Sequence, residues 1–212
     1  SFGQKASKVW TQIANGIAWS AIYGSINNIT RSINNALDTM KAVDDQLVTV
    51  RKVTGFTKDQ MAEIEAQAYK TAKAYGVAAD AYLENVAAFS RAGYKERASE
   101  LAELAVKTQL VGDTTAEVAN QFLLSVDAAY QYKGNIQELQ KVLDGANEID
   151  NKYATSIEKI ASGLGIVAPV AKQARVGIDE LTAAIGTITA VTQRSGSEAA
   201  RAFRALALNI IG

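Results

Sequence analysis

The sequence predicts an all-α protein, a long N-terminal heptad helix followed by a multi-helix bundle. Three observations carry that expectation. Alanine is abundant, proline occurs once and aromatics make up 7% of the 212 residues, a composition that favours helix. An unbroken alternation of three- and four-residue apolar steps runs through the first quarter of the chain. The remainder is a string of short amphipathic segments divided by glycine and opened by capping residues. No stretch shows the β-branched alternation of a strand. The expected boundaries are 1–55 for the helical arm and 56–212 for the bundle.

The arm is read from Trp19, Ile22, Ile26, Ile29, Ile33, Ala36, Met40, Val43, Leu47 and Val50. Their 3.5-residue period is that of a coiled-coil seam, and isoleucine at both alternating positions favours three or four strands over two. The plain alternative is one long helix packed on its own domain. Upstream, Val9 to Thr30 carries no charge. Trp10, Trp19 and Tyr23 resemble interfacial aromatics there, and Gly16, Ser20 and Gly24 follow small-xxx-small spacing. Membrane insertion would drag Gln12, Asn15, Ser20, Ser25, Asn27 and Asn28 into hydrocarbon, so close helix packing is the expected use. Host-membrane contact stays as the alternative for this stretch. Asn28-Ile-Thr30 is formally a glycosylation sequon, read as accidental within the heptads.

Gly55 is expected to end the arm. Thr57 with Gln60 reads as a capping box, after which Met61, Ile64, Ala68 and Ala72 face one way. Asp80 or Ala81 is expected to open a helix to Arg91, stopped by Gly93. Lys95 to Val111 follows, with Leu101, Leu104, Ala105 and Leu110 inward and Gly112 as terminator. Thr114 with Glu117 reads as a second box leading through Val118, Phe122, Val126 and Tyr130 to Gly134. Asn135 with Glu138 opens a helix to about Tyr153, and Thr155 with Glu158 opens another. Gly177 and Gly196 divide the rest. About seven helices with short breaks imply a compact bundle. No fixed period with matching residues supports a solenoid.

Chemistry is sharply bounded. The chain has no His and no Cys, which excludes thiolate chemistry, disulfides, Ser-His catalysis and classical zinc sites. Twenty-two basic and twenty-two acidic residues cancel, so no global field recruits nucleic acid. Gly163-Leu-Gly165-Ile-Val-Ala168 matches G-x-G-x-x-A, but the residues before it are helical, and dinucleotide binding needs a strand there. A helix bend or close crossing is the expected role. Asp44-Asp45, Glu63/Glu65, Glu148/Asp150 and Asp179-Glu180 sit too close along helices for their carboxylates to converge. Asp179 and Glu180 are expected to favour a helix start. Arg194, Arg201 and Arg204 share a face on a continuing helix and form a candidate docking stripe. The tyrosines and phenylalanines at helical spacing are read as packing. No catalytic residue, metal or cofactor is expected.

The segment Ser156 to Gly212 carries the most functional information. Its run IVAPVAKQARVGIDELTAAIG (Ile166 to Gly186), followed by RSGSEAARAFRAL (Arg194 to Leu206), resembles the core of phage tail tape measure proteins. AFSRAGY (Ala88 to Tyr94) and TTAEVANQF (Thr114 to Phe122) fit the helices preceding that core. The resemblance implies a structural, non-enzymatic tail protein involved in tail assembly, length determination and DNA ejection. It implies location in the tail lumen or tip of the virion, and in host cytoplasm during assembly. The implied partners are tail tube and tip proteins, tail assembly chaperones and the host membrane, beside the further copies of itself (a trimer or higher) that the heptad seam favours. The family's ruler is a repetitive rod, whereas 56–212 reads as compact and non-repetitive, which points to a docking or tip-proximal piece. Missing an initiator Met and ending on ALALNIIG, the sequence reads as part of a longer chain. Two other classes share these features: a membrane-active helical pore-former or effector, and a coiled-coil scaffold module.

Overall fold

Helix dominates because most of the expected breaks and apolar faces find their place. The computed structural model describes residue 28 and residues 30–211, which contain no strand. The chain forms two units, Ser1–Asp45 and Gln46–Gly212. The first helix, α1, spans 30–54. Its end is closed by the Gly55 N–H donating to the Arg51 carbonyl at 2.9 Å, with Gly55 at φ +71°.

Eight further helices follow, against an expectation of about seven. They are α2 (Lys58–Tyr75), α3 (Ala79–Arg91), α4 (Ala98–Gly112), α5 (Ala116–Tyr130), α6 (Ile136–Lys152), α7 (Ile157–Gln173), α8 (Ile178–Thr192) and α9 (Gly196–Ile211). Thr57 and Gln60 cap α2 reciprocally, and Asn135 Oδ1 accepts from Gln137 and Glu138 N–H groups at the start of α6.

Several boundaries shift from the sequence reading for identifiable reasons. Ala79, with the uncapped Ala78 before it, opens α3 ahead of Asp80. Lys95–Arg97 is a 3-10 turn, so α4 begins only at Ala98. The cap of α5 is Thr115, whose hydroxyl accepts from the Val118 N–H at 3.3 Å. Thr114 is used by the previous helix, since its N–H closes onto the Gln109 carbonyl at 3.1 Å beside left-handed Asp113. Ser156 likewise replaces Thr155 as the cap of α7, because the Thr155 hydroxyl is engaged with that of Thr189 at 2.6 Å. Leu110 points outward: Leu104, Ala105 and Thr108 are buried, and two residues beyond Thr108 lies the opposite side of α4.

Within Gln46–Gly212, α7 is the spine. It packs along α5, α9 and α8, while α6 closes onto α8. α2, α3 and α4 pack on one another, and α4 joins α5. Tyr82, Phe89, Phe122, Leu101, Leu123, Ile157, Ile160 and Leu164 are among the largest wholly buried side chains. Each such group removed from water contributes about 1.5–3 kcal/mol, which makes this core the source of the bundle's stability. On α2, Ile64 and Ala68 are buried as expected and Met61 and Ala72 are half-buried.

Candidate functional site

The residues singled out in the sequence fall on the spine and on the helices around it. Gly163 and Gly165 lie mid-helix in α7, where helix and not a strand precedes them. A Cβ on Gly163 would come within 2.6 Å of Ile185 Cγ2 and 3.1 Å of the Gly196 carbonyl oxygen. One on Gly165 would stand 3.4 Å from the Phe122 backbone nitrogen. The two glycines therefore let α7 approach α8, the start of α9, and α5 closely, and the dinucleotide fingerprint is a packing device. Gly196 answers from the other side, since its own Cβ would lie 1.9 Å from the Lys159 carbonyl oxygen. Pro169, exposed, lies within α7, which runs on to Gln173.

Asp179 and Glu180 occupy the first turn of α8, and the Glu180 carboxylate accepts from the Gly177 N–H at 3.2 Å. This is the helix-start role expected of them.

The arginine stripe is shorter than the sequence suggests. Arg194 lies in the break before α9, because left-handed Gln193 (φ 56°) ends α8 and the new helix starts at Gly196. There it pairs with Glu198 at 3.5 Å. The N–H and hydroxyl of Ser195 also donate to Glu198, at 3.2 and 3.0 Å, and hold its carboxyl below the usual range. Arg201 and Arg204, three residues apart on α9, remain together and exposed. Leu208, one turn after Arg204, is exposed on the same side.

The seam residues divide. Trp19, Ile22, Ile26 and Ile29 lie outside the described residues, as does nearly all of the uncharged stretch. In α1, Ile33 and Met40 are 53% and 63% exposed and Ala36 is exposed, whereas Val43 and Val50 are buried at 2% and 0% and Leu47 is half-buried. Leu37, outside the seam reading, adds to the open apolar side at 58% exposure.

Two features escaped the sequence reading. The first is a groove of 660 Å³ between α2 and the start of α4, floored by Phe56 and Ile64 and edged by Glu63, Glu96, Glu100 and Glu103 against one cation, Lys95, whose Nζ donates to the Thr54 carbonyl at 3.2 Å. Glu103 is satisfied within the fold by Gln67, Tyr75 and Lys107, at 3.3, 3.0 and 3.2 Å. Glu63, Glu96 and Glu100 are exposed, and Glu100 has only a 3.8 Å contact with Arg97. The second is a polar corner. Asp127, 3% exposed, accepts from the Gly134 N–H at 2.6 Å and from the Tyr94 hydroxyl, while Arg97 donates to the Gly134 carbonyl at 3.2 Å. Burial, then the Asp127 carboxylate, pushes the Tyr94 phenol up to about 12. The corner ties the α3–α4 junction to the α5–α6 turn. Neither could be found by spacing, because Glu63 and Glu96, or Tyr94 and Asp127, are more than thirty positions apart.

Among the described residues no group of His, Cys, Asp or Glu is placed to hold a metal ion. None of the described helices is long and apolar enough to cross a membrane. The arrangement supplies packing faces and two charged surfaces of opposite sign.

Comparison with curated proteins and with solved structures returned no match. A family model described as "Phage-related minor tail protein" matches residues 65–210, from within α2 to the last turn of α9. That span is more than half of the 212 residues and holds the spine, so the chain belongs to the phage-related minor tail protein family.

Proposed function

We propose that this phage tail protein is a tape measure protein, and that its bundle serves as a docking piece rather than as the length-setting shaft. The observation that carries this reading is coincidence. The family match at 65–210 and the tape-measure-like runs from Ile166 to Leu206 fall on one non-repetitive core whose spine is α7. A ruler works by helical rise, about 1.5 Å per residue, and needs no interlocked bundle. A bundle with glycine-fitted crossings is suited to presenting fixed surfaces. In this reading the arm self-associates as a trimer or higher through the exposed Ile33, Leu37 and Met40 side of α1. The bundle meets tail tube or tip proteins and tail chaperones, within the tail lumen or tip. The whole chain contributes to length determination and DNA ejection. Its work is structural, in keeping with a sequence that has neither His nor Cys.

In-frame removal of 56–212 from the phage gene tests it. The expected result is failed tail assembly or non-infectious particles. Infectious phage whose tails are merely shortened in proportion to the deletion would refute the docking role.

A further inference from the structure

The two charged surfaces are complementary and lie on different helices. The groove is built by α2, the 3-10 turn and α4, with Glu63, Glu96 and Glu100 around an apolar floor; its one lysine, Lys95, is turned to the Thr54 carbonyl at 3.2 Å and leaves the rim net acidic. The basic face is on α9, which packs on α7 and α8. There Arg201 and Arg204 precede Leu208 at helical spacing, giving two guanidinium groups and one apolar knob on a single face. Arg201 Nε donates to the Ser197 carbonyl at 3.2 Å and both guanidinium groups stay solvent-facing. A groove with apolar floor and acidic rim is the form that receives an amphipathic basic helix.

We propose that α9 of one copy seats in the α2–α4 groove of a second copy, Leu208 toward Ile64 and the arginines against Glu63, Glu96 and Glu100. This rests on the docking reading above and names the partner as the chain itself. The contact is heterologous, joining unlike surfaces, so repetition closes into a ring if the rotation permits or otherwise extends as an open string. A ring would set bundles side by side around one axis, compatible with arms that associate as three or more.

The absence of native cysteine gives a clean test on the full 212-residue chain. With Gln60→Cys and Ala205→Cys in one chain, the latter exposed on the same face of α9 and leaving Leu208 in place, mild oxidation should yield a ladder of disulfide-linked oligomers. Adding Arg201→Glu and Arg204→Glu should lower the linked fraction about tenfold, and adding Glu63→Arg and Glu96→Arg to that variant should restore it. In the charge-unaltered pair, about 1 M salt should also lower the yield, since the screening length falls to about 3 Å. Circular dichroism checks that each variant keeps its helix content. Absence of the ladder, a yield indifferent to charge reversal, or loss without restoration would each overturn the proposal. None of these results bears on the deletion phenotype in phage, so the two readings fail separately.

Discussion

At the residue scale, the tightest constraints are places where a side chain is missing. Gly196 faces the Lys159 carbonyl oxygen so closely that a Cβ would lie 1.9 Å from it, with 2.8 Å to the Gly163 nitrogen. These are backbone atoms and cannot swing aside. Gly196→Ala should therefore destabilise by about 3 kcal/mol or more, read as a fall in urea midpoint. Gly145 is the control. It sits inside α6 with nothing within 4 Å of a built Cβ, so Gly145→Ala should stabilise by about 0.5–1 kcal/mol. Equal effects from the two would contradict the crossing geometry. The sequence marks both as glycine and does not rank them, because the contact partner of Gly196 lies 37 positions away. Asp127 is illegible for the same reason. Buried and accepting from Gly134 and Tyr94, it should be worth about 2–3 kcal/mol when changed to Ala, with Tyr94→Phe near 1 kcal/mol.

At the element scale, helices were largely legible and their first residues were not. Periodicity and capping chemistry locate α2 and α6 correctly, since Thr57 and Asn135 each stand three residues before a Gln or Glu with no second hydroxyl residue adjoining. Where two hydroxyl residues adjoin, the sequence cannot say which is claimed by the preceding segment. Thr115 caps α5 while Thr114 Oγ1 is buried with no hydrogen-bond partner. Thr115→Ala should thus cost about 1 kcal/mol, and Thr114→Val should be neutral or stabilising. Thermal melts of the two single variants decide it; the reverse ranking would restore Thr114 as the cap. The stripe of three arginines fails on the same scale. Its spacing assumes helix across 193–195, and the left-handed Gln193 breaks that assumption. The groove between α2 and α4 was hidden entirely, being a property of two helices and of neither alone.

At the scale of the whole molecule, the bundle is held by helices that share one core and by tyrosines anchored into it. Burial is the first cause raising the phenols of Tyr82, Tyr94 and Tyr130 to about 12 from the ordinary 10.0. The fold favours the neutral form, so their contribution is fully present below about pH 10 and is lost as the pH rises toward about 12. The urea midpoint should fall across that window, in step with ultraviolet absorbance of tyrosinate, and a flat midpoint would contradict it. Overall class was plain in composition and period; the assignment of α7 as spine was not, because it depends on which helices cross at glycine. That crossing has a mechanical meaning. Among the described side chains of α9 the buried ones are the alanines 199, 200 and 207 together with Gly196, and Phe203 is half-buried, so backbones come close while little apolar area is hidden per turn. Such a joint is strict in geometry and shallow in energy. Under a pull along the chain from its C-terminal end, α9 should peel from the spine at low force and reseat in one register, while the Leu- and Phe-filled α5–α7 contact holds.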